Sequence, residues 1–331
     1  MKKYKIMLFG LLFGLMILLV GWKTHESDTL QSQSRYLLDT YCTIKAPGDT
    51  RVLSALSKAL DRIEEIDSKF NMLNPKSPLY DFNTNNKPIT DKEIVDLVRI
   101  ALDVSEKSDG KYDITICSVV NLWGFFSDKP AVPLQSSIDS LLNDVGYKSL
   151  KIENGILTKS NPRSQIDLGS IAKGYAVGEA VKVLRQEGIT SALIDAGGDI
   201  YALGTYKGRP WKIGIKDPRG DGVIGSLDLT DMTVVTSGDY ERYFIKDGKR
   251  YHHILDPQTG YPSQDMASVT IISPDPVLAD GWSTALFVLG AEKGIPIIDA
   301  MQSTGTFMVT TDGRKIYSSG MQVNTQLVKR R

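Results

Sequence analysis

The sequence predicts an α+β fold in which helices pack against a largely antiparallel sheet. Three observations carry this. Apolar residues recur at helical spacing in three separate stretches, and short runs rich in β-branched and aromatic residues follow them. Two of those runs are broken by Asp-Gly dipeptides, Asp247-Gly248 and Asp312-Gly313, the preferred chemistry of a tight hairpin turn. Hairpins pair strands antiparallel, so a doubly wound parallel sheet is disfavoured.

Along the chain, the first segment stands outside the fold. Lys2, Lys3 and Lys5 precede a charge-free stretch of 17 residues, 6–22. As a helix rising 1.5 Å per residue it nearly spans a hydrocarbon core of about 30 Å. Lysines on its N-terminal side predict that this end stays in the cytoplasm and the remainder is exported. Residues 1–22 therefore read as a membrane anchor, with a cleaved export signal of the same layout as the rival. Residues 23–34 are polar and read as a tether, and 35–331 read as one domain. Helical spacing then appears at Val52, Leu53, Leu56, Leu60, Ile63 and Ile66, and again at Ile94, Leu97, Val98, Ala101 and Leu102. A third helix is predicted over 171–186, stopping before Gly188. Strands are predicted at 192–195, 211–216, 233–236, 243–245 and 269–272.

Composition removes several functions. Lysine plus arginine number 39 and aspartate plus glutamate number 39, a zero net charge that argues against a nucleic-acid binder needing a basic excess. Three histidines (His25, His252, His253) and two cysteines (Cys42, Cys117) are too few for zinc ribbons or a disulfide framework. The two cysteines either pair after export or stay as free buried thiols.

Five segments concentrate the chemistry. Asp167-Leu168-Gly169-Ser170 opens the third helix and offers a cap, exposed N–H groups and a positive dipole end; an ordinary capped helix accounts for it too. Asp195-Ala196-Gly197-Gly198-Asp199 allows close ligand approach or only a bulge. Thr236-Ser237-Gly238-Asp239-Tyr240 is followed by His252-His253-Ile254-Leu255-Asp256-Pro257, where the adjacent histidines point to opposite faces of a strand. One of them is thus free to take a proton in a cleft. Asp280 and Thr284, four apart in Ala279-Asp280-Gly281-Trp282-Ser283-Thr284, share a helical face and are hard oxygen ligands suited to Mg²⁺. Finally, Gly110-Lys111-Tyr112-Asp113 leads into Asn121-Leu122-Trp123-Gly124-Phe125, aromatics around a strand that either stack on a flat ring or fill the core.

In order, YDIT, NLWGF, DLGSIAKGYA, DAGGDI, SGDYERYF, HHILDPQTGYP and ADGWSTA resemble the FAD:protein FMN transferase family, the ApbE-like flavin transferases. The resemblance implies a T-fold-like α+β domain and an exported, Mg²⁺-dependent enzyme. Its members take FAD and move the FMN moiety to a threonine hydroxyl of a partner, a flavoprotein subunit of a membrane redox complex, releasing AMP. It places Asp280, Thr284, Ser283 and Ser170 at the metal. Leu38, Lys111, Tyr112, Asp113, Asp167, Lys173 and Leu255 fall at FAD positions, and His253, with Asp280, at the catalytic ones. Asp256 is an alternative base. The chain departs from the family at Leu38-Asp39-Thr40, where Met-Gly-Thr is usual, near Leu73, often tyrosine, and at Gly281-Trp282. An FAD pyrophosphatase using the same site, or a non-catalytic FAD-binding surface protein, are the alternatives.

Overall fold

The computed structural model describes residues 29–127 and 129–326; the predicted anchor, 1–22, lies outside them. Among the described residues no helix is long and apolar enough to cross a membrane. In chain order the strands are β1 (Leu30–Leu37), β2 (Thr40–Pro47), β3 (Leu150–Glu153), β4 (Ile156–Lys159), β5 (Ala192–Ala196), β6 (Asp199–Leu203), β7 (Trp211–Lys216) and β8 (Val223–Leu229). They continue as β9 (Met232–Gly238), β10 (Tyr243–Lys246), β11 (Lys249–His252), β12 (Met266–Ser273), β13 (Gly305–Thr310), β14 (Lys315–Tyr317) and β15 (Thr325–Gln326). The helices are α1 (Val52–Phe70), α2 (Pro78–Asn85), α3 (Lys92–Lys107), α4 (Cys117–Trp123), α5 (Gln135–Leu142), α6 (Ala172–Gln186), α7 (Pro276–Leu289), α8 (Ala291–Asp299) and α9 (Ser319–Asn324).

Eight strands form one sheet in the order β1-β2-β5-β6-β9-β12-β13-β14, antiparallel at every pairing, as the hairpin signals predict. One face is covered by α1, α3, α6 and α7, whose Leu56, Leu60, Ile63, Leu97, Val177 and Trp282 merge into the main core. The other face packs on the small β15-β8-β7 sheet through Trp211, Ile213, Leu227 and Phe307. β12, an interior strand between β9 and β13, is buried along its whole length between the two cores.

Local chemistry sets most of these elements. Asp91 caps α3 by accepting from Glu93 and Ile94 N–H, and Asp275 caps α7 through Val277 and Leu278 N–H, with Pro276 at the first turn. α6 stops ahead of Gly188, which takes a positive φ. Asp247-Gly248 closes β10 onto β11 with both residues at positive φ, the geometry of a type I′ turn. The Asp312-Gly313 hairpin joins β13 to β14 through a longer loop.

Three expectations are corrected. Residues 30–34, read as tether, lie in β1, because Leu30–Leu37 pairs in full register with β2 despite its polar composition. The aromatic segment is not a strand: residues 110–115 are turns, and 117–123 form α4, whose Trp123 sits in a separate aromatic core with Phe125, Phe244, Tyr251 and Tyr261. Gly197-Gly198 is not a bulge but the positive-φ turn that joins β5 to β6. Cys42 and Cys117 are free and buried.

Candidate active site

The site is assembled where the start of α6 meets the middle of α7. α6 carries no side-chain cap of its own at Ile171. Asp167, expected to cap it, instead accepts from Gly169 N–H at 2.9 Å within its own turn. The cap comes from across the helix pair: Gly174 N–H donates to Asp280 Oδ2 at 2.8 Å. This contact exists because residue 174 is glycine. A Cβ there would lie 2.1 Å from the Pro276 carbonyl oxygen and 2.8 Å from Asp280 Cβ.

Asp280 is thereby held almost fully buried, with its other oxygen, Oδ1, 3.8 Å from Lys173 Nζ. The Lys173 ammonium is hydrogen-bonded to Asp199, a buried carboxylate at the start of β6. Burial alone would lower the lysine, yet Asp199 and Asp280 hold it above the ordinary lysine value. Burial raises the Asp199 carboxyl against the pull of Lys173. One fixed cation thus lies between two buried carboxylates.

Hydroxyl groups line the next turn of α7. Ser237 Oγ of β9 lies 2.7 Å from Ser283 Oγ and 3.3 Å from Thr284 Oγ1. Thr284 is half-buried, one helical turn beyond Asp280 on the same face. Ser283 adjoins Thr284 in the same turn. It is fully buried and its hydroxyl donates to the Asp280 carbonyl oxygen at 2.8 Å, which fixes the hydroxyl while leaving its oxygen lone pairs. Ser170 Oγ donates to the Tyr112 hydroxyl at 2.9 Å. Burial pushes the Tyr112 phenol up, and the ring lies close enough to Asp280 and Asp167 to feel both charges.

The adjacent histidines divide as strand alternation predicts. His252 is buried, with Nε2 2.6 Å from the Ser263 carbonyl and Nδ1 accepting from Ile254 N–H at 3.3 Å. Both ring nitrogens are spent, which fixes a neutral tautomer and a structural role. His253 is different: its Nδ1 is buried and has no hydrogen-bond partner among the described residues. Burial, then the neighbouring His252, Arg242 and Lys173, push His253 down to about 3, so it is neutral at physiological pH.

The remaining expected residues make contacts of their own. Asp113 is buried: Thr115 N–H and hydroxyl bond to Oδ1 and Tyr147 N–H to Oδ2, so its carboxylate organises a turn. Lys111 pairs with Asp256 at 2.7 Å, and Gln258 N–H takes the other Asp256 oxygen, which removes Asp256 as an alternative base. Leu255 is buried against Pro262, and Leu38 forms the tip of the β1–β2 hairpin at positive φ. Two residues went unread in the sequence. Ser237 lies in a motif that had been singled out, and Asp199 ends the Gly-Gly segment, but neither carries a local signal of its partner.

Asp280 and Thr284 are hard oxygen donors with few protein charges around them, a set that fits an ion keeping water or phosphate oxygens as further ligands, as Mg²⁺ does. No three His, Cys, Asp or Glu side chains cluster into a metal cage among the described residues. Residues 38–308 match the ApbE family. The chain belongs to that family. It is 31% identical over 307 residues to the FAD:protein FMN transferase of Escherichia coli K12, covering 88% of this chain and 87% of that one. The ApbE protein of Thermotoga maritima superposes with a TM-score of 0.83 at 34% identity, covering 90% of this chain and 100% of that one. The flavin transferase ApbE of Vibrio cholerae gives 0.80 at 29%, covering 89% and 99%. The ApbE-like α+β fold implied by the motifs is therefore the fold of this chain.

Proposed function

We propose that this ApbE-family chain transfers the FMN moiety of FAD to a threonine hydroxyl of an exported or membrane flavoprotein subunit, with Mg²⁺, and releases AMP. The observation that carries the reading is the buried Asp280. One oxygen is tied to the α6 start while the other lies 3.8 Å from Lys173, with Thr284 one helical turn on; His253, whose Nδ1 has no partner among the described residues, is close enough to feel the charge of the same lysine. The curated relatives named FAD:protein FMN transferase support it, since they align over most of the chain.

Mg²⁺ held by Asp280, Ser283, Thr284 and Ser170 would neutralise charge on the FAD diphosphate and on departing AMP. The chain's own residues do the rest. Lys173, fixed between Asp199 and Asp280, adds a permanent positive charge close to the same oxygens. The threonine Oγ attacks the FMN phosphorus, the bond to the AMP phosphate oxygen breaks, and that electron pair leaves with AMP. His253 takes the hydroxyl proton. It is neutral and so able to accept, and a bound diphosphate beside it raises its basicity. Positioning supplies most of the rate, as in other phosphoryl transfers.

The test measures AMP release and denaturation-resistant flavin fluorescence on an acceptor, with and without Mg²⁺. Both should require metal, and AMP should rise with acceptor. AMP formed at an equal rate without acceptor makes the chain a pyrophosphatase; FAD bound with no AMP at any metal concentration makes it a binding protein. We also place the domain outside the cytoplasm behind the 1–22 anchor, on the lysine-then-apolar layout of that segment. Protease added to intact spheroplasts should then digest the domain; protection overturns the placement.

A further inference from the structure

The β10–β11 hairpin is a two-stranded ribbon that joins no other sheet among the described residues. It is nevertheless rigid. Phe244 and Tyr251 stack on each other and pack on Trp123. Arg219 and Arg250 both donate to buried Asp239, which ties the ribbon to the end of β9.

Its hydrogen-bond phase can be read from both ends. His253 N–H donates to the Arg242 carbonyl at 3.1 Å, so Arg242 and His253 form a hydrogen-bonded pair. The two-residue turn makes Lys246 and Lys249 another. Because such pairs alternate in an antiparallel ladder, Phe244 and Tyr251 make the third, and the N–H and C=O groups of Tyr243 and Ile245 point away from β11. None of these four main-chain groups has a partner among the described residues. This open edge carries no proline and no bulge, the usual ways of blunting one.

We propose that β10 receives an extended, acidic, threonine-bearing segment of the acceptor protein as an added strand, which guides the threonine to His253. This rests on the transferase reading above. The edge runs from Lys246 to Arg242, about 13 Å at a strand's rise, and Arg242 is the main-chain partner of His253. Tyr243 is 44% exposed and Ile245 64%, on the ribbon face opposite Phe244, so alternate side chains of an added strand meet apolar surface. Lys246 and Lys249 have no acidic partner among the described residues, Asp247 is the one acid within 242–250, and Arg242 and Arg250 are already paired with Asp39 and Asp239, so the two lysines carry the ribbon's free positive charge. Those lysines oppose pairing of two copies of this edge but attract an acidic strand. Main-chain pairing supplies affinity and the flanking charges supply choice of partner.

The test uses the full-length protein saturated with FAD and two fluorescein-labelled dodecapeptides, each with one threonine, flanked by aspartate and glutamate or by lysine. Ile245→Pro deletes one outward N–H and leaves the ribbon's own bonds intact, whereas Ile245→Thr keeps that N–H. Anisotropy should show the acidic peptide bound about tenfold more tightly than the basic one. Ile245→Pro should weaken it by about tenfold, with Ile245→Thr close to wild type and FAD titrations unchanged in all three proteins. Equal binding of both peptides, no binding of the acidic one, or wild-type binding by Ile245→Pro overturns the proposal. FMN transfer to the peptide is followed in parallel. A peptide held at β10 but never flavinylated counts against the transferase reading alone; one flavinylated equally by wild type and Ile245→Pro counts against the docking edge alone.

Discussion

Replacing Gly174 by alanine tests the helix contact on which the site is built. The new Cβ would stand 2.1 Å from the Pro276 carbonyl oxygen, and ordinary contact begins near 3.4 Å, so α6 and α7 must part by about 1.3 Å. Two energies oppose each other. Alanine in a helix is favoured over glycine by about 1 kcal/mol. Overpacking at a close helix contact costs about 1–3 kcal/mol. The net loss is about 0–2 kcal/mol, and Tm falls by no more than several degrees in a chain of this size. Catalysis should suffer far more. The same displacement stretches the Gly174 N–H to Asp280 bond from 2.8 Å to beyond hydrogen-bonding range. A misplacement of about 1 Å in a phosphoryl-transfer site costs roughly a hundredfold in rate. Circular dichroism melts and AMP release from FAD, on the same preparations, separate the two effects. A variant within threefold of wild-type turnover would refute the claim that this glycine sets the carboxylate.

Further outcomes follow from the same geometry. Asp280→Asn keeps the size of the side chain but removes its charge beside Lys173, and should abolish AMP release and its metal dependence while FAD protection against heating persists in part; unchanged metal titration would contradict this. His253 is depressed in the fold to about 3 from about 6.5, so its contribution to stability is full above pH 6.5 and is lost as pH falls toward 3. His253→Gln should therefore flatten the acid limb of a stability-versus-pH curve and remove transfer without removing FAD binding. Asp39→Gly relieves a left-handed aspartate (φ 57°) at the β1–β2 turn and should stabilise by about 0.5–1 kcal/mol, read as a small rise in Tm. A fall in Tm would mean that the exposed pairing of Asp39 with Arg242 at 3.7 Å matters more than backbone strain.

Much of this molecule was legible in one dimension. Helix faces, the stop at Gly188, the Asp-Gly turns and the split between His252 and His253 all arise from φ preferences and side-chain periods that act over a few residues. The ordered motifs likewise marked the family, and Asp280 with Thr284 was visible as a pair because four residues make one helical turn. Tertiary structure alone decided the rest. Asp199 meets Lys173 across 26 residues, Ser237 meets Ser283 across 46, and Gly174 meets Asp280 across 106. Nothing local distinguishes those residues from any other aspartate, serine or glycine. Tertiary structure also decided the partners of Asp113, Lys111 and Ser283, because a buried or half-buried polar atom must find a partner wherever the fold leaves it. The chain thus encodes its elements by short-range geometry, while the charge and openness of its site come from which of those elements the core presses together.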